Sequence, residues 1–509
     1  MKTNVLQYLE ESARLHPDSP AVIDEGGTTT YAQLHATSRR VGSALAKSGV
    51  RSHGVIVAME KSADALAAQL GAMYAGGFYV PVDPETPAER LEAIVAALGG
   101  ALLIADDSSQ KRIADMCLEA VTVRFSDISQ YAIDDQTLAE IRRASLETDP
   151  AYALFTSGST GVPKGVVTSH RAVLSFIDSF VETFQFRETD RFANQAPFDF
   201  DVSTKDIYAS LATSATLVVV PRKLFMQPAD LATYLEAHRV TVLIWAVAAL
   251  CLFSTYHGLK AADLSTIRSV LFSGEIMPAK HLKSWRGALP QAMFANLYGP
   301  TETTCNCLYH ILDADDDYAE GIPLGVPFGH CDVLLVDDGG RAITQPGVEG
   351  ELLVRGPSLA LGYLGQRELT NRAFTQNPTN SLFPDRVYRT GDVAVLDEQG
   401  RLFFRGRKDN QIKHLGHRIE LEEIDLAFER FPGVDRCRCA YDSTRKLVRA
   451  YYEGPADERD LPVLARKALP AFMLPASIRH VTDMPLNKNG KVDRSRLLTC
   501  STRASKVMG

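Results

Sequence analysis

Short apolar runs alternate with helix-like segments through residues 1–320, and this alternation constrains the fold more than any other feature of the chain. "GVIVAME" and "ALLIADD" are typical of buried strands. "SADALAAQLGAMYAGG" has a helical apolar period and ends on a glycine pair that suits a helix C-terminus. "SATLVVV", "VTVLIW" and "IRSVLFSGE" continue the pattern. Strands that alternate with helices predict an α/β fold with a mostly parallel sheet.

The pattern changes near residue 325, where short strands alternate with Gly, Pro and Asp turns, as in "VLLVDDGGR" and "EGELLVRGP". That pattern predicts a small β-barrel or β-meander up to about residue 405. A short α+β segment follows "GRKDNQIK". Since 509 residues are too many for one hydrophobic core, we expect a large N-terminal domain, residues 1–408, of two α/β subdomains plus the small β-barrel. A smaller α+β C-terminal domain, residues 409–509, completes the predicted organisation.

Charge and hydropathy exclude several classes of protein. The formal net charge is −8 with acidic and basic residues interspersed, so the basic face of a nucleic-acid binder is missing. The N-terminus is a polar amphipathic pattern rather than a secretory signal, and the apolar runs are too short to predict a membrane span. We therefore expect a cytoplasmic protein without membrane or nucleic-acid partners.

The eight cysteines do not form a zinc-binding pattern. Cys305 and Cys307, like Cys437 and Cys439, are C-x-C pairs, whereas zinc sites commonly use C-x-x-C pairs. We expect reduced cysteines that serve as small apolar side chains.

The stretch "LFTSGSTGVPKG" (Leu154–Gly165) carries an apolar strand into a loop of glycines and hydroxyls. Glycines allow backbone N–H groups to point at an anion. Hydroxyl donors come from Thr156, Ser157, Ser159 and Thr160, and Lys164 adds a cation. This chemistry suits a polyphosphate, although the loop is not a Walker A motif because it lacks the final Gly-Lys-Ser/Thr.

The loop resembles the phosphate loop of the adenylate-forming superfamily, which includes acyl-CoA synthetases, luciferases and the adenylation domains of nonribosomal peptide synthetases. Further motifs of that family follow in the same order and cover essentially the whole chain: "NLYGPTETT" (296–304), "YRTGD" (388–392), "GRKDNQIKHLGHRIE" (406–420) and "NKNGKVDR" (487–494). "YGPTETT" and "NGKVDR" together favour the branch that activates amino acids.

The resemblance implies ATP and Mg²⁺ as ligands. Tyr298 offers a flat ring for adenine, and Asn296 has the donor and acceptor that a purine edge requires. Glu302 matches the family's Mg²⁺ ligand, a hard oxygen donor. Asp392 is expected to accept both ribose hydroxyls, and Arg407 to be a second ribose or phosphate contact. The other residues expected to bind ATP or AMP are Ser157, Gly158, Ser159, Gly161, Gly165, Gly274, Glu275, Leu297, Gly299 and Thr301.

Catalysis is assigned by the resemblance to Lys491, Lys164, Thr156 and Thr160. In the family the lysine that matches Lys491 contacts the substrate carboxylate and the α-phosphate, so a fixed cation meets the charge of the transition state. The substrate carboxylate attacks the α-phosphorus and pyrophosphate leaves, and positioning rather than a protein nucleophile supplies the rate. Asp409 matches the hinge of the C-terminal domain, and Gly416 matches the loop that lines the pantetheine channel.

The stretch "FDFDVSTKD" (198–206) contains the F-D-x-S pattern in which relatives bind the ammonium of an α-amino acid. Counting back from "DIY", the closest match puts Asp201 on the ammonium and Phe200 at the carboxylate gate. The other register would use Asp199, but it puts Asp201 where a serine is expected. A buried carboxylate requires a cationic partner, which the substrate would supply.

In the Asp201 register the amino-acid pocket is lined by Val202, Lys205, Ile244, Leu271, Ser273, Leu297, Cys305 and Asn306. Lys205 stands among apolar walls and therefore requires an anion or a hydroxyl near it. One interpretation is a substrate with an acidic or polar side chain. The other is that Lys205 pairs with a protein carboxylate such as Asp206 and never touches substrate.

These features predict an AMP-forming ligase that converts an amino acid to aminoacyl-AMP and transfers it to the phosphopantetheine thiol of a carrier protein. The chain stops sixteen residues after Asp493 with no carrier segment, so we expect a stand-alone, monomeric enzyme of nonribosomal peptide or other natural-product biosynthesis. The alternatives are a D-alanine-type carrier-protein ligase, an acyl- or aryl-CoA synthetase, and a nucleotide-binding protein without enzymatic activity.

Overall fold

The computed structural model describes residues 2–116, 118–158, 163–316, 318, 321–414, 416–486 and 492–499. The chain forms two compact units. The first contains Met1–Pro84, Ala97–Phe155 and Gly165–Lys408, and the second contains Glu85–Ala96, Thr156–Lys164 and Asp409–Gly509.

The strands up to residue 408 are β1 (Pro20–Asp24), β2 (Gly27–Thr30), β3 (Gly54–Ala58), β4 (Phe78–Pro81), β5 (Ala101–Ala105), β6 (Ala120–Arg124), β7 (Pro150–Thr156), β8 (Lys164–Ser169), β9 (Arg191–Asn194), β10 (Thr216–Val219), β11 (Val242–Ala246), β12 (Ser269–Ser273), β13 (Met293–Tyr298), β14 (Leu308–Ile311), β15 (Val326–Pro327), β16 (Asp332–Val336), β17 (Glu349–Arg355), β18 (Gly362–Tyr363), β19 (Phe374–Gln376), β20 (Arg386–Leu396) and β21 (Leu402–Arg407). The later strands are β22 (Gln411–His414), β23 (His417–Glu420), β24 (Arg436–Asp442), β25 (Leu447–Glu453) and β26 (Ser477–His480).

The helices are α1 (Leu6–Leu15), α2 (Tyr31–Lys47), α3 (Ala63–Tyr74), α4 (Ala88–Ala97), α5 (Asp107–Asp115), α6 (Phe125–Ile128), α7 (Asp135–Ala144), α8 (His170–Phe184), α9 (Val202–Thr213), α10 (Pro228–Ala237), α11 (Val247–Thr255), α12 (Ala279–Ala288), α13 (Arg367–Ala373), α14 (Leu421–Glu429), α15 (Leu461–Ala468) and α16 (Arg494–Thr499). Short 3₁₀ turns lie at Arg222–Met226, Gly258–Lys260, Thr301–Thr303 and Ala471–Met473.

Two sheets carry most of the strands of the first unit. One has the order β15-β14-β13-β12-β11-β9-β10-β1-β2 and is parallel from β13 to β1. The other has the order β18-β8-β7-β4-β3-β5-β6 and contains the parallel pairs β3/β4, β3/β5, β4/β7 and β5/β6. The predicted α/β class with mostly parallel sheets is confirmed.

The local signals act as the sequence predicts. The helix expected in "SADALAAQLGAMYAGG" is α3, whose N-cap Ser62 accepts the backbone N–H of Ala65. Gly76, in the glycine pair that follows, has φ 76°, a conformation that costs glycine little. Strands β3 and β12 are buried at every position, as expected of strands covered on both faces.

Residues 332–407 of the first unit form an antiparallel sheet of β16, β17, β20 and β19, in which β21 also pairs with β20. These are the strands predicted from the turn-rich segment near residues 325–405. The β20/β21 register sets Asp392 opposite Arg407.

The second unit contains the β22/β23 hairpin and a sheet in which β24 pairs antiparallel with β25 and β25 pairs parallel with β26. Helix α14 packs its buried residues, including Ile424 and Phe428, into the core of this unit.

The described cysteines Cys251, Cys305, Cys307, Cys331, Cys437 and Cys439 are free thiols. None of the described helices combines the length and the apolar character that crossing a bilayer requires.

Candidate active site

Three neighbouring parallel strands of the first unit form the wall of the predicted amino-acid pocket. Their register sets Ile244 opposite Leu271, and Ser273 opposite Leu297. All four side chains are buried. The sheet therefore brings together wall residues that lie far apart in the sequence.

Asp201 is the residue immediately before α9, and its Oδ2 accepts a hydrogen bond from the Thr301 hydroxyl at 2.7 Å. Val202 is buried in the first turn of the helix, and Phe200 is half-buried on the other side of Asp201. Asp199 has different surroundings, because burial and the neighbouring Asp83 carboxylate raise its pKa to about 6. The two aspartates of "FDFD" thus have separate partners.

Lys205 lies one turn into α9 and has no exposed surface. Its Nζ donates to Asn306 Oδ1 at 2.9 Å and to Ser273 Oγ at 3.3 Å. Both acceptors belong to the predicted pocket lining. No described carboxylate forms an ion pair with Lys205.

Asp206, the neighbouring residue, takes a different partner. Its Oδ2 accepts from Asn194 Nδ2 at 3.0 Å. Burial raises the pKa of Asp206 to about 7, although Asn194 and the charges of Lys205 and Lys61 act in the opposite direction. In this structure Lys205 therefore does not form the hydrogen bond with Asp206 that the second interpretation requires.

A strained loop after β13 delivers Cys305 and Asn306 to Lys205. Thr304 and Cys305 have φ of 56° and 77°, in the left-handed region that non-glycine residues seldom occupy. A Cβ on Gly299 would lie 2.5 Å from the Asn306 Cα and 2.7 Å from the Cys305 carbonyl oxygen. Glycine at 299 is therefore required for the loop to turn back to the pocket.

The residues assigned to ribose and adenine are already linked to one another. The Tyr298 hydroxyl donates to Asp392 Oδ2 at 2.5 Å, and Arg407 donates to Asp392 Oδ1. Burial, followed by the charge of Asp392, raises the pKa of Tyr298. The Asn296 side-chain N–H₂ donates to the Pro323 carbonyl at 2.9 Å, so a contact with a purine amino group would use its Oδ1 as acceptor.

Gly274 and Glu275, which were also assigned to the nucleotide, directly follow β12. Gly274 has φ 97°, and a Cβ there would meet no atom within 4 Å. Open space beside a backbone in this conformation is compatible with a close ligand. Glu275 is half-buried.

Glu302 is fully buried in the 3₁₀ turn Thr301–Thr303 and accepts a hydrogen bond from the Tyr363 hydroxyl at 2.7 Å. A buried carboxylate requires compensation, and a carboxylate oxygen is a ligand that Mg²⁺ prefers. The donor chemistry at Glu302 therefore fits the implied metal.

The described part of the phosphate loop belongs to the second unit. Thr156 Oγ1 is buried and has no hydrogen-bond partner among the described residues, as a group reserved for a phosphate oxygen would be. The Gly158 N–H donates to Glu423, and Lys164 forms an ion pair with Glu420. Gly165 begins the adjoining part of β8, where a Cβ would meet the Phe155 ring at 2.9 Å. Ser159, Thr160, Gly161 and Lys491 lie outside the described residues.

Asp409 opens the C-terminal segment, and its Oδ1 accepts the Gln411 N–H at 3.2 Å. Gly416, assigned to the pantetheine channel, has φ 83°. A residue with a β-carbon would be strained at that position.

The C-x-C pair of β24 lies next to a carboxylate. Cys437, Cys439 and Asp425 place their ligand atoms within 4.8 Å of one another. Asp425 is held by the Arg494 guanidinium at 2.7 Å and by the Cys439 N–H at 2.5 Å. A guanidinium already neutralises this carboxylate, so the group is a structural ion pair beside two apolar thiols.

Sequence reasoning missed three partners of the predicted residues: Thr301 on Asp201, Tyr363 on Glu302, and Glu423 on Gly158. Thr301 lies inside the quoted motif "NLYGPTETT", and Glu423 lies three residues after the end of "GRKDNQIKHLGHRIE". Their positions were therefore available, but not their contacts. Tyr363 lies in no motif, and nothing in the sequence marks it.

Comparison with known proteins places these motifs in context. The family described as AMP-binding enzyme matches residues 9–364. The L-proline–[L-prolyl-carrier protein] ligase of Streptomyces coelicolor is 32% identical over an alignment of 521 positions, which covers 97% of this chain and 96% of that protein. Surfactin synthase subunit 1 of Bacillus subtilis is 32% identical over 98% of this chain, which spans only 14% of that protein's length. The structure of holo-PA1221, an NRPS protein containing adenylation and PCP domains, superposes with a TM-score of 0.83 and 26% identity over 97% of this chain and 84% of that chain.

Proposed function

We propose, because this chain belongs to the family of AMP-binding enzymes, that it activates an amino acid with ATP and transfers the aminoacyl group to a carrier protein. The observation that carries the proposal is Asp201, which the Thr301 hydroxyl holds directly before α9, a helix that packs against β11. A carboxylate that the fold holds in place suits an α-ammonium group, because an ammonium can both donate hydrogen bonds to it and pair with its charge. A fatty or aryl acid has no ammonium group that could pair with that carboxylate.

In the proposed first half-reaction, a carboxylate oxygen of the amino acid attacks the α-phosphorus of ATP. A new O–P bond forms, the bond from the α-phosphorus to the bridging oxygen breaks, and pyrophosphate leaves with that electron pair. Asp201 orients the substrate through its ammonium, while Tyr298 and Asp392 hold the nucleoside. Lys164 and Lys491 offset the charge of the phosphates. Glu302 would hold Mg²⁺, which neutralises phosphate charge when bound.

In the proposed second half-reaction, the phosphopantetheine thiol of a carrier protein attacks the acyl carbon of the aminoacyl-AMP. A thioester forms, the thiol loses its proton, and AMP leaves. We further propose that residues 409–509 turn about Asp409 between the two half-reactions, and that Gly416 lines the pantetheine path. The named function of the Streptomyces coelicolor relative supports a carrier-protein acceptor.

We propose that the substrate side chain is polar or acidic, on the strength of Lys205. The ammonium has no exposed surface, and its hydrogen-bond acceptors, Ser273 and Asn306, are neutral. A buried cation with neutral partners is costly, so an anionic or strongly accepting substrate group would stabilise it. Asn306 Oδ1 and Ser273 Oγ both already accept from Lys205. The trio also carries several N–H and O–H donors, and these complement a carboxylate of the substrate.

Amino-acid-dependent ATP–pyrophosphate exchange, measured over a panel of amino acids, fatty acids and aryl acids, tests the activity. Amino acids should drive exchange, and Asp201→Ala should reduce kcat/KM by about 10²–10⁴-fold, since stranding one member of a buried ion pair costs about 3–5 kcal/mol. Asp199→Ala, two residues away, is the matched control and should cost much less. Exchange driven by fatty or aryl acids and insensitive to Asp201→Ala would overturn the proposal.

A further inference from the structure

Two carboxylates of the second unit lie on groups of the phosphate loop. Glu423 Oε2 accepts the backbone N–H of Gly158 at 2.9 Å. Glu420 Oε1 lies 3.6 Å from Lys164 Nζ. Gly158 and Lys164 are groups to which the sequence assigns the phosphates of ATP, and here each of them meets an anion that belongs to the chain.

The contact is buried and supported on every side. The side chains of Lys164, Glu420 and Glu423 are each less than 10% exposed. Arg90 donates to Glu423 Oε1 at 2.6 Å, and Gln411 donates to Glu420. Charge-assisted hydrogen bonds in such surroundings are stronger than those between neutral groups at a solvated surface.

The backbone of the loop is held at the same place. The Ser157 hydroxyl donates to the Arg418 carbonyl at 2.9 Å and accepts the Glu420 N–H at 3.1 Å. One short stretch of chain, from Arg418 to Glu423, therefore engages the side chain of Ser157, the backbone of Gly158 and the cation of Lys164. This arrangement leaves few of the described loop donors to a ligand.

We propose that Glu420 and Glu423 compete with the phosphates of the nucleotide for the phosphate loop. A carboxylate and a phosphate are both anionic acceptors, and one N–H or ammonium cannot be fully engaged by both. The protein thus holds its own anions where the polyphosphate binds, and these anions leave when the nucleotide enters. The inference rests on the proposed function, in that the loop is the site of the ATP phosphates.

The energetic consequence follows from linked equilibria. When carboxylates of the chain occupy the site in some of the molecules, the apparent affinity for the ligand falls. It falls in proportion to the fraction of molecules in which the site is free. The same competition favours departure of pyrophosphate, because Glu420 and Glu423 can return to the loop donors when it leaves. Removing the negative charge of Glu420 or of Glu423 should therefore tighten nucleotide binding.

Titration of the full-length protein with MgATP, followed by calorimetry, tests the proposal. Glu423→Gln keeps the shape of the side chain and removes its charge, and it should bind MgATP about five- to tenfold more tightly than the unmodified protein. Glu420→Gln, which leaves the Arg90–Glu423 pair intact, should show a smaller gain and serves as the second variant if Glu423→Gln folds poorly. In pyrophosphate exchange the same variants should lower KM for ATP more than they change kcat.

Glu429→Gln is the matched control, because Glu429 lies at the far end of α14 and pairs with Arg438 rather than with the loop. This variant removes the same charge and should leave MgATP affinity unchanged. Equal or weaker MgATP binding by folded Glu423→Gln and Glu420→Gln would overturn the inference alone. Absence of MgATP binding in every protein, the unmodified one included, would overturn the proposed function and this inference with it.

Discussion

Asp206 has no exposed surface and is linked through Asn194 to Lys61, whose Nζ donates to Asn194 Oδ1 at 3.1 Å. Burial raises the Asp206 pKa to about 7, well above the value of a carboxylate in an unfolded chain. Between about pH 4 and pH 7 the folded protein therefore binds more protons at this site than the unfolded chain does. The contribution of Asp206 to stability must fall as the pH rises through that window.

Asp206→Asn removes this ionisation while keeping a side chain that can bond to Asn194. The free energy of unfolding of the variant, relative to that of the unmodified protein, should be higher at pH 8 than at pH 5 by about 2–3 kcal/mol. Urea denaturation at the two pH values measures the difference. If the substitution changed the free energy of unfolding equally at pH 5 and at pH 8, the raised pKa of Asp206 would be contradicted.

The substitution Lys205→Met tests the role of this buried lysine in substrate choice. Methionine fills a similar volume without charge, so acidic amino acids should lose about 10²-fold in kcat/KM while apolar ones rise in the ranking. The exchange panel measures that ranking. An unchanged order of amino acids would show that Lys205 serves the fold alone.

At the scale of elements, the loop from Gly299 to Asn306 positions one partner of Lys205. Gly299→Ala would push a methyl group to 2.5 Å from the Asn306 Cα, so the loop must move away from α9. We expect a loss of about 1–3 kcal/mol in the free energy of unfolding together with a marked drop in exchange activity. Denaturation and exchange assays on the same preparation measure both.

Gly287→Ala is the control for that experiment. Gly287 lies in α12, where an added Cβ meets nothing within 4 Å. Alanine is favoured over glycine within a helix, so this variant should gain up to about 1 kcal/mol and keep full activity. Equal activity of the two variants would contradict the role of the loop turn.

The elements were predictable because their local signals agree with their surroundings. The apolar runs that became β3, β11 and β12 are buried on both faces, and Ser62 caps α3 as its residue type favours. The side-chain partners were not predictable in the same way. The hydrogen bond from Thr301 to Asp201 depends on side-chain rotamers, which the sequence does not predict. The bond from Lys205 to Asn306, rather than to Asp206, depends also on the left-handed turn at Thr304 and Cys305.

At the scale of the whole molecule, the parallel sheet explains why distant motifs converge. The carboxyl ends of β11, β12 and β13 lie side by side, so residues near 244, 273 and 297 meet at one edge. That convergence could be inferred from the alternation of strands and helices. The sequence does not predict that the C-terminal segment forms one unit with Glu85–Ala96 and Thr156–Lys164. No local pattern in either short segment indicates which part of the chain it contacts.

The trio of Lys205, Ser273 and Asn306 comes from α9, from β12 and from the loop after β13. Each member satisfies another, so replacing the lysine alone strands a hydroxyl and an amide in a buried place. Under the proposed function, Lys205→Met would therefore shift the ranking of amino acids and at the same time cost stability, because Ser273 and Asn306 lose their partner. Recovery of that stability would involve positions 273 and 306 as well, which lie far from position 205 in the sequence.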